Sequence, residues 1–412
     1  MKSSFLQDLQ NKGLLFQATD LEALDELFQK KEPIAAYIGF DPTADSLHVG
    51  NLSQIMILRL LQQHGHKPIV LIGGATAQVG DPSGKDEMRQ FNDTETINKN
   101  IAGIKNSFAK FLKFGDDPTD AILVNNADWL LNINYINFLR DFGRHFSINR
   151  MLSFESVKSR LDREQNLSFL EFNYMLLQAY DFMELFKKHN CILQLGGSDQ
   201  WGNIVNGVEL TRKVLNKSVF GLTGPLITTS SGAKMGKSAK GAIWLNADKL
   251  NHFEYWQFWR NTDDAGVIRY MKIFTDFNDE EISKFSKMQS SEINQAKIAL
   301  ADAATAMCRG KEVLKEIHQQ IEAAFGKGND EDLPTKFVER NLIDMPNLET
   351  LLVAAKLCAS KGEAKRLASG GGLKVSDVQV TDTRQEIDLE ELQLKGLKIS
   401  LGKKQHCMVK IK

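Results

Sequence analysis

Two short clusters have the residue types to handle a phosphate. The first is Gly39–Asn51, GFDPTADSLHVGN. An apolar run ends in GFDPT, a polar turn follows, and Asp45 or Ser46 can cap a helix running to about His64, with Gly65 as a natural stop. His48 and Gly50 then fall in the first helical turn, where backbone amides and the helix dipole favour an anion. Gly50 lets a flat ligand approach the backbone, and His48 can donate to a phosphoryl oxygen as its charge builds. The second cluster is Lys234–Ser238, KMGKS, set in the Gly- and Ser-rich stretch TTSSGAKMGKSAKG. Two lysines three apart beside small residues suit a clamp on a polyphosphate. Taken singly, a capped helix and a solvated basic loop explain these residues as well.

A third stretch, Gly73–Arg89, reads GGATAQVGDPSGKDEMR after an apolar run. Lys85 follows Gly84, but Val79 stands where a P-loop needs its first glycine, and Asp86 follows the lysine. The chain is therefore not read as a P-loop NTPase. Two further clusters suit a small polar ligand. Tyr174, Gln178 and Asp181 in YMLLQAYD share one helix face, as a pocket lining or a surface stripe. Gln194–Asn203, QLGGSDQWGN, places Asp199 and Gln200 after two glycines, where Asp199 can accept from ribose hydroxyls or an amine. No nucleophile–base pair stands out.

Elements that could position these residues follow from the apolar pattern. Ile34–Phe40, Ile69–Gly73, Ala121–Val124 and Cys191–Leu195 are short apolar runs bounded by Gly, Asp or Asn, with helical patterns between them. The alternation predicts a parallel sheet with helices on both faces. HFEYWQFWR, DEEISKFSKM, INQAKIALADAATAMC and KEVLKEIHQQIEAAF are helical, and GKGNDEDLP reads as the start of a linker. The last stretch is helical in LETLLVAAKLCASKGEAKRLASGGG and strand-like in LKVSDVQV, LKGLKISLG and HCMVKIK.

The 412 residues are 42% hydrophobic and 25% charged with a net charge of −1, which excludes a disordered chain and a uniformly basic nucleic-acid coat. The sum hides its parts: residues 346–412 carry +4 and the rest −5. Lys361, Lys365 and Arg366 concentrate part of that positive charge. Cys191, Cys308, Cys358 and Cys407 are too scattered for a zinc site or a disulfide framework, so no metal site is expected. Polar residues interrupt the apolar positions of MKSSFLQDLQNKG, and no apolar run approaches the roughly 18 residues needed to span a bilayer. A cytoplasmic protein with no membrane partner is expected.

Jointly the clusters say more than each alone. HVGN and KMGKS, in this order in one α/β region, resemble the HIGH and KMSKS signatures of class I aminoacyl-tRNA synthetases. YMLLQAYD and GGSDQWGN are similar to the amino-acid-pocket motifs of the bacterial-type tyrosyl-tRNA synthetases. SKGEAKRLASGGGLKV, residues 360–375, resembles the S4 RNA-binding module that ends those enzymes. The resemblance implies an α/β fold with a Rossmann-like parallel-sheet catalytic domain at 1–245. A helical, anticodon-binding domain at 246–325, a linker at 326–345 and a small α+β S4-like domain at 346–412 would follow. It implies condensation of L-tyrosine with ATP, accompanied by Mg2+, to tyrosyl-adenylate and pyrophosphate, then transfer to the 3′ end of tRNA(Tyr) by a homodimer. The nucleophile is the substrate's own carboxylate.

The resemblance also assigns residues. Tyr37 and Asp181 match the groups that bind the phenol, Asp81, Tyr174 and Gln178 those at the amino end, and Gln200 the one near the carboxylate. Gly39, Asp41, Thr43, His48, Gly50, Asn51, Gly197 and Asp199 match the ATP and adenylate site. Lys85 and Arg89 match a loop pair that contacts pyrophosphate, and Lys234 and Lys237 match the two KMSKS lysines, Lys237 also on ATP. Lys361, Lys365 and Arg366 are the expected tRNA contacts. Asn51 replaces the second histidine of HIGH and still offers a neutral donor; Gly236 replaces the serine of KMSKS, with greater loop mobility expected. Tryptophanyl-tRNA synthetase and a non-catalytic relic that binds RNA are the rival readings.

Overall fold

The computed structural model describes residues 1–412 except 31, 83–92, 229–231, 233–234, 239–240, 290–291, 326–332, 334, 344 and 403–404, and of 156, 237–238, 323–325 and 405 only the backbone. The chain forms two compact units, Met1–Arg309 and Gly310–Lys412.

The first unit is built on a six-stranded sheet. Its strands are β1 (Gln17–Ala18), β2 (Ala35–Phe40), β3 (Lys67–Ile72), β4 (Ile122–Asn125), β5 (Cys191–Gly197) and β6 (Phe220–Gly224). They lie in the order β1-β6-β5-β2-β3-β4. All neighbours pair in parallel except β1, which runs antiparallel to β6. Strand alternation sends Ala35, Tyr37, Ile69, Leu71 and Cys191 to one face, where they pack with Phe182 and Leu185 of the helix Phe169–His189. The opposite face carries Phe40, whose ring meets Phe108 of the helix Thr94–Phe108 at 4.8 Å. Both faces are thus covered by helices, as the sequence pattern predicts.

β6 escapes the apolar pattern because FGLTG contains two glycines and a threonine. Both glycines are needed for packing. A Cβ on Gly221 would overlap Ile204 of the helix Trp201–Leu215, and one on Gly224 would come within 2.9 Å of the Leu14 carbonyl oxygen and 3.2 Å of Ile57. Ile57 lies on the helix Val49–Gln63, which therefore covers the face opposite to 201–215. A two-stranded hairpin, β7 (Lys237–Ser238) with β8 (Gly241–Ala242), lies in the KMGKS region. The helices His252–Arg260, Val267–Phe274, Asp279–Ser286 and Ile293–Arg309 complete this unit.

The second unit is α+β. Strands β9 (Thr335–Val338), β10 (Leu373–Val375), β11 (Val378–Gln379), β12 (Leu397–Leu401) and β13 (Gln405–Ile411) form a sheet ordered β11-β10-β12-β13-β9. Leu351 and Leu352 of the helix Leu348–Ala354, and Ala364 and Ala368 of the helix Lys361–Ser369, pack with Leu373, Ile399 and Val409. Ser376 and Asp377, both at positive φ, turn β10 into β11. β9 lies in the stretch expected as a linker. TKFV is too short to show as a strand in sequence, and its parallel partner, β13, is about seventy residues away.

Candidate active site

In an open parallel sheet, the crevice for a ligand opens at the carboxyl ends of the strands where the winding reverses. Here that point lies between β2 and β5, because the chain builds outward through β3 and β4 on one side and through β6 on the other. A cavity of about 360 Å³ opens there. It is lined by Tyr37–Asp41 at the end of β2 and Gln194–Gly197 at the end of β5. Every expected tyrosine and ATP residue apart from Lys237 lines it: Tyr37, Gly39, Asp41, Thr43, His48, Gly50, Asn51, Asp81, Tyr174, Gln178, Asp181, Gly197, Asp199 and Gln200.

One part of the cavity suits a phenol. Tyr37 is fully buried, and its hydroxyl has no hydrogen-bond partner. Asp181 is also buried; its Oδ1 accepts from Trp129 Nε1 at 2.7 Å and its Oδ2 from Asn126 Nδ2 at 3.0 Å. A carboxylate oxygen has a second lone pair, so Asp181 can still accept a phenolic proton while Tyr37 donates to the phenolic oxygen. Elsewhere the lining is amide and carboxylate. Gln200 Nε2 donates to Asp81 Oδ2 at 2.9 Å, Gln178 Nε2 to Gln200 Oε1 at 3.3 Å, and Asn203 Nδ2 to Gln178 Oε1 at 3.0 Å. The Tyr174 hydroxyl donates to Asp41 Oδ2 at 3.1 Å and Thr76 Oγ1 to Asp41 Oδ1 at 2.9 Å. This network holds donors and acceptors within reach of an ammonium and a carboxylate.

At the other rim stands the helix 49–63. The expected caps Asp45 and Ser46 do not cap it; the Ser46 hydroxyl donates to the Leu47 carbonyl instead. His48 is the cap: the Gly50 amide donates to His48 Nδ1 at 3.0 Å, and the His48 amide donates to Asn51 Oδ1 at 3.2 Å. Asn51 thus closes a capping box, which a short amide does directly. KMGKS meets this turn. A Cβ on Gly50 would lie 2.7 Å from the His48 ring and 2.8 Å from the Met235 carbonyl oxygen. Gly236 has φ +97°, and a Cβ there would overlap the Gly50 amide nitrogen. The glycine in place of serine is therefore explained by close approach and a left-handed backbone. Lys85, Arg89 and Lys234 lie outside the described residues, and of Lys237 only the backbone, in β7, is described.

Sequence reasoning missed Thr76, Asn126, Trp129 and Asn203. Asn126 is the hub: its Nδ2 also donates to Thr76 Oγ1 at 3.0 Å, and its Oδ1 accepts from the Ala75 amide at 2.9 Å. Thr76 and Asn126 follow the carboxyl ends of β3 and β4, the positions an open α/β sheet reserves for ligand contacts. GGAT and NNADW, each directly after an apolar run, carried that signal.

Burial raises the Asp181 carboxyl from 3.8 to about 7, against the lowering effect of the Asn126 and Trp129 hydrogen bonds. Folding therefore takes up a proton at Asp181 between about pH 4 and 7, and the stability this residue contributes below pH 4 is lost as pH rises to 7. At about 1.4 kcal/mol per decade the loss is roughly 4 kcal/mol. Asp181→Asn, which does not titrate, is expected to lose less stability than wild type between pH 4 and pH 8 in denaturant melts. Equal pH slopes for the two proteins would contradict this.

The fold and the site together define an open α/β protein with a polar cavity at the switch point of its sheet. Residues 29–326 match tRNA synthetases class I (W and Y), and the chain belongs to that family. It is 54% identical to the tyrosine–tRNA ligase of Gluconobacter oxydans across 99% of both chains. Identity is also 54% to the same-named protein of Caulobacter vibrioides, over 99% of this chain and 98% of that one. Among solved structures, a C-terminally truncated mitochondrial tyrosyl-tRNA synthetase from Aspergillus nidulans superposes with a TM-score of 0.70 at 32% identity, covering 79% of this chain and 95% of that one.

Proposed function

We propose that this chain is a tyrosine–tRNA ligase that joins L-tyrosine to ATP as tyrosyl-adenylate, releases pyrophosphate, and passes the tyrosyl group to the 3′ end of tRNA(Tyr). The observation that carries the amino-acid assignment is the buried pair at one end of the cavity. Tyr37 offers a hydroxyl without a partner and Asp181 an acceptor. A phenol answers both. An indole has a donor but no acceptor, so tryptophan would leave the Tyr37 hydroxyl unpaired.

The substrate carboxylate attacks the α-phosphorus of ATP, so the chain's task is positioning and charge stabilisation. Asp81, Tyr174 and Gln178 take the ammonium, and Gln200 orients the carboxylate. Gly39, Asp41, Thr43, Gly50, Gly197 and Asp199 receive the nucleotide. His48 and Asn51 at the helix start, with Lys85, Arg89, Lys234 and Lys237, stabilise charge on the phosphates. Mg2+ enters with ATP, held chiefly by phosphate oxygens and water, which asks no cage of the protein.

Lys361, Lys365 and Arg366 of the S4-like unit contact tRNA phosphates. Lys365 and Arg366 are exposed on the helix 361–369, and Lys365 Nζ lies 3.5 Å from the buried Glu349, which leaves less of its charge for RNA. The protein acts as a homodimer in the cytoplasm. Supporting the dimer, eight of the 17 large hydrophobic residues exposed among the described residues fall within 131–170, including Ile136 at 67% and Phe169 at 70%. Supporting a reducing compartment, all four cysteines are buried as thiols. No helix among the described residues is long and apolar enough to cross a membrane.

Two measurements check these points. Incubation with labelled tyrosine, ATP and tRNA should yield acid-precipitable tyrosyl-tRNA; RNA binding without charging would favour the relic. In sedimentation, Ile136→Asp together with Phe169→Asp should convert the wild-type dimer to monomer. A wild-type monomer would refute the dimer.

A further inference from the structure

Arg309 belongs to none of the motifs, yet it is only 8% exposed. Its Nη2 donates to the carbonyl oxygens of Trp244 at 2.9 Å and Leu250 at 3.1 Å. Its Nε and Nη1 are buried without hydrogen-bond partners, and its guanidinium lies 4.8 Å from the Tyr255 ring centroid. Burying a cation with unsatisfied donors is costly, and an apolar side chain would fill the same space more cheaply. The arginine must supply something such a side chain cannot.

What it holds is the segment 243–250, which has two edges. The inner edge is paired to HVGN: the Val49 amide donates to the Ile243 carbonyl and the Leu245 amide to the Leu47 carbonyl, both at 2.8 Å. His48 forms a bridge with Trp244, their rings 6.1 Å apart. The Ile243 amide donates to the Gly236 carbonyl at 3.1 Å, tying the same segment to KMGKS. The outer edge rests on two inward-reaching cations. Arg309 takes the Trp244 carbonyl, and Lys110 Nζ takes the next one, Leu245, at 2.5 Å. Both phosphate-facing motifs are thus registered on one strap, and Arg309 pins it at two carbonyls six residues apart.

We propose that Arg309 is a positioning residue for adenylate formation: by fixing the strap 243–250 it sets His48 against the KMGKS loop. It does not line the cavity. The proposal rests on the functional reading above. Misplacement of about 1 Å remote from the chemistry can cost on the order of a hundredfold in rate. Tyrosine binding is spared, because Tyr37 and Asp181 stand on β2 and the helix 169–189.

The test uses the full chain with Arg309→Met, Arg309→Lys and Arg309→Ala. Arg309→Met should lower kcat for tyrosine-dependent ATP–pyrophosphate exchange by about 10- to 100-fold. The tyrosine Kd by equilibrium dialysis should stay within about twofold, since uniform binding is untouched. Arg309→Lys, with one head group for two carbonyls, should fall between, and millimolar ethylguanidinium should restore part of the activity of Arg309→Ala. Should Arg309→Met fail to fold, Arg309→Lys and the rescue decide. Unchanged kcat in the variants would overturn the proposal. So would kcat, tyrosine affinity and Tm falling together without rescue, the pattern of a merely structural role. A wild type without exchange would overturn the functional reading and this proposal with it.

Discussion

Asp181→Ala is expected to raise the tyrosine KM by about 5- to 150-fold and to shrink the preference for tyrosine over phenylalanine by a similar factor. The size follows from the cost of leaving one buried polar group unpaired, about 1–3 kcal/mol. In wild type, phenylalanine offers no acceptor to the buried Tyr37 hydroxyl and no donor to the remaining lone pairs of Asp181, and it bears that cost. Tyrosyl-tRNA synthetases are the standard example of rejecting phenylalanine in this way without editing. Removing the carboxyl takes away the acceptor for tyrosine but removes a penalty for phenylalanine, so the two substrates converge. It also strands Trp129 Nε1 and leaves Asn126 Nδ2 only its bond to Thr76 Oγ1, so a lower Tm accompanies the change. Exchange kinetics with both amino acids, on folded variant, read the ratio directly. A ratio equal to wild type would remove Asp181 from the specificity role.

Lys237→Ala is expected to slow adenylate formation by about 100- to 1,000-fold while tyrosine binds nearly as before. Loss of one donor aimed at developing charge costs about 2.7–4 kcal/mol in comparable sites. The backbone of β7 carries Lys237 directly after Gly236, whose geometry brings KMGKS against the first turn of the helix 49–63. In the proposed function Lys237 serves the phosphates of ATP and not the phenol, so its effect belongs to kcat. Single-turnover adenylate formation and equilibrium dialysis separate the two quantities. Equal losses in rate and tyrosine affinity would contradict the assignment.

How much of this was legible in the sequence depends on what kind of signal each part sends. Strands β2, β3, β4 and β5 announce themselves as apolar runs; β6 does not, since its packing depends on the missing Cβ atoms of Gly221 and Gly224. The helix 49–63 was visible but its cap was not. A histidine that caps with its ring Nδ1 follows no ordinary preference, and Ser46 and Asp45 were better candidates on composition. Tyr37 sits inside an apolar strand, where a tyrosine reads as core, and only the resemblance singled it out. The supporting residues Thr76 and Asn126 were missed because they meet Asp41 and Asp181 through contacts 35 to 55 residues away in sequence. In sequence the Gly236 departure speaks only of mobility; the approach of Gly50 adds a steric requirement that no residue type announces. Arg309 had no motif at all, and its partners are main-chain carbonyls that carry no residue-type signal.

The most direct measurement of the central claim is ATP–pyrophosphate exchange by the full chain with tyrosine, tryptophan and phenylalanine supplied separately. The account predicts rapid exchange with tyrosine and little with the other two. Exchange driven by tryptophan and not by tyrosine, or exchange with none of the three, would contradict it.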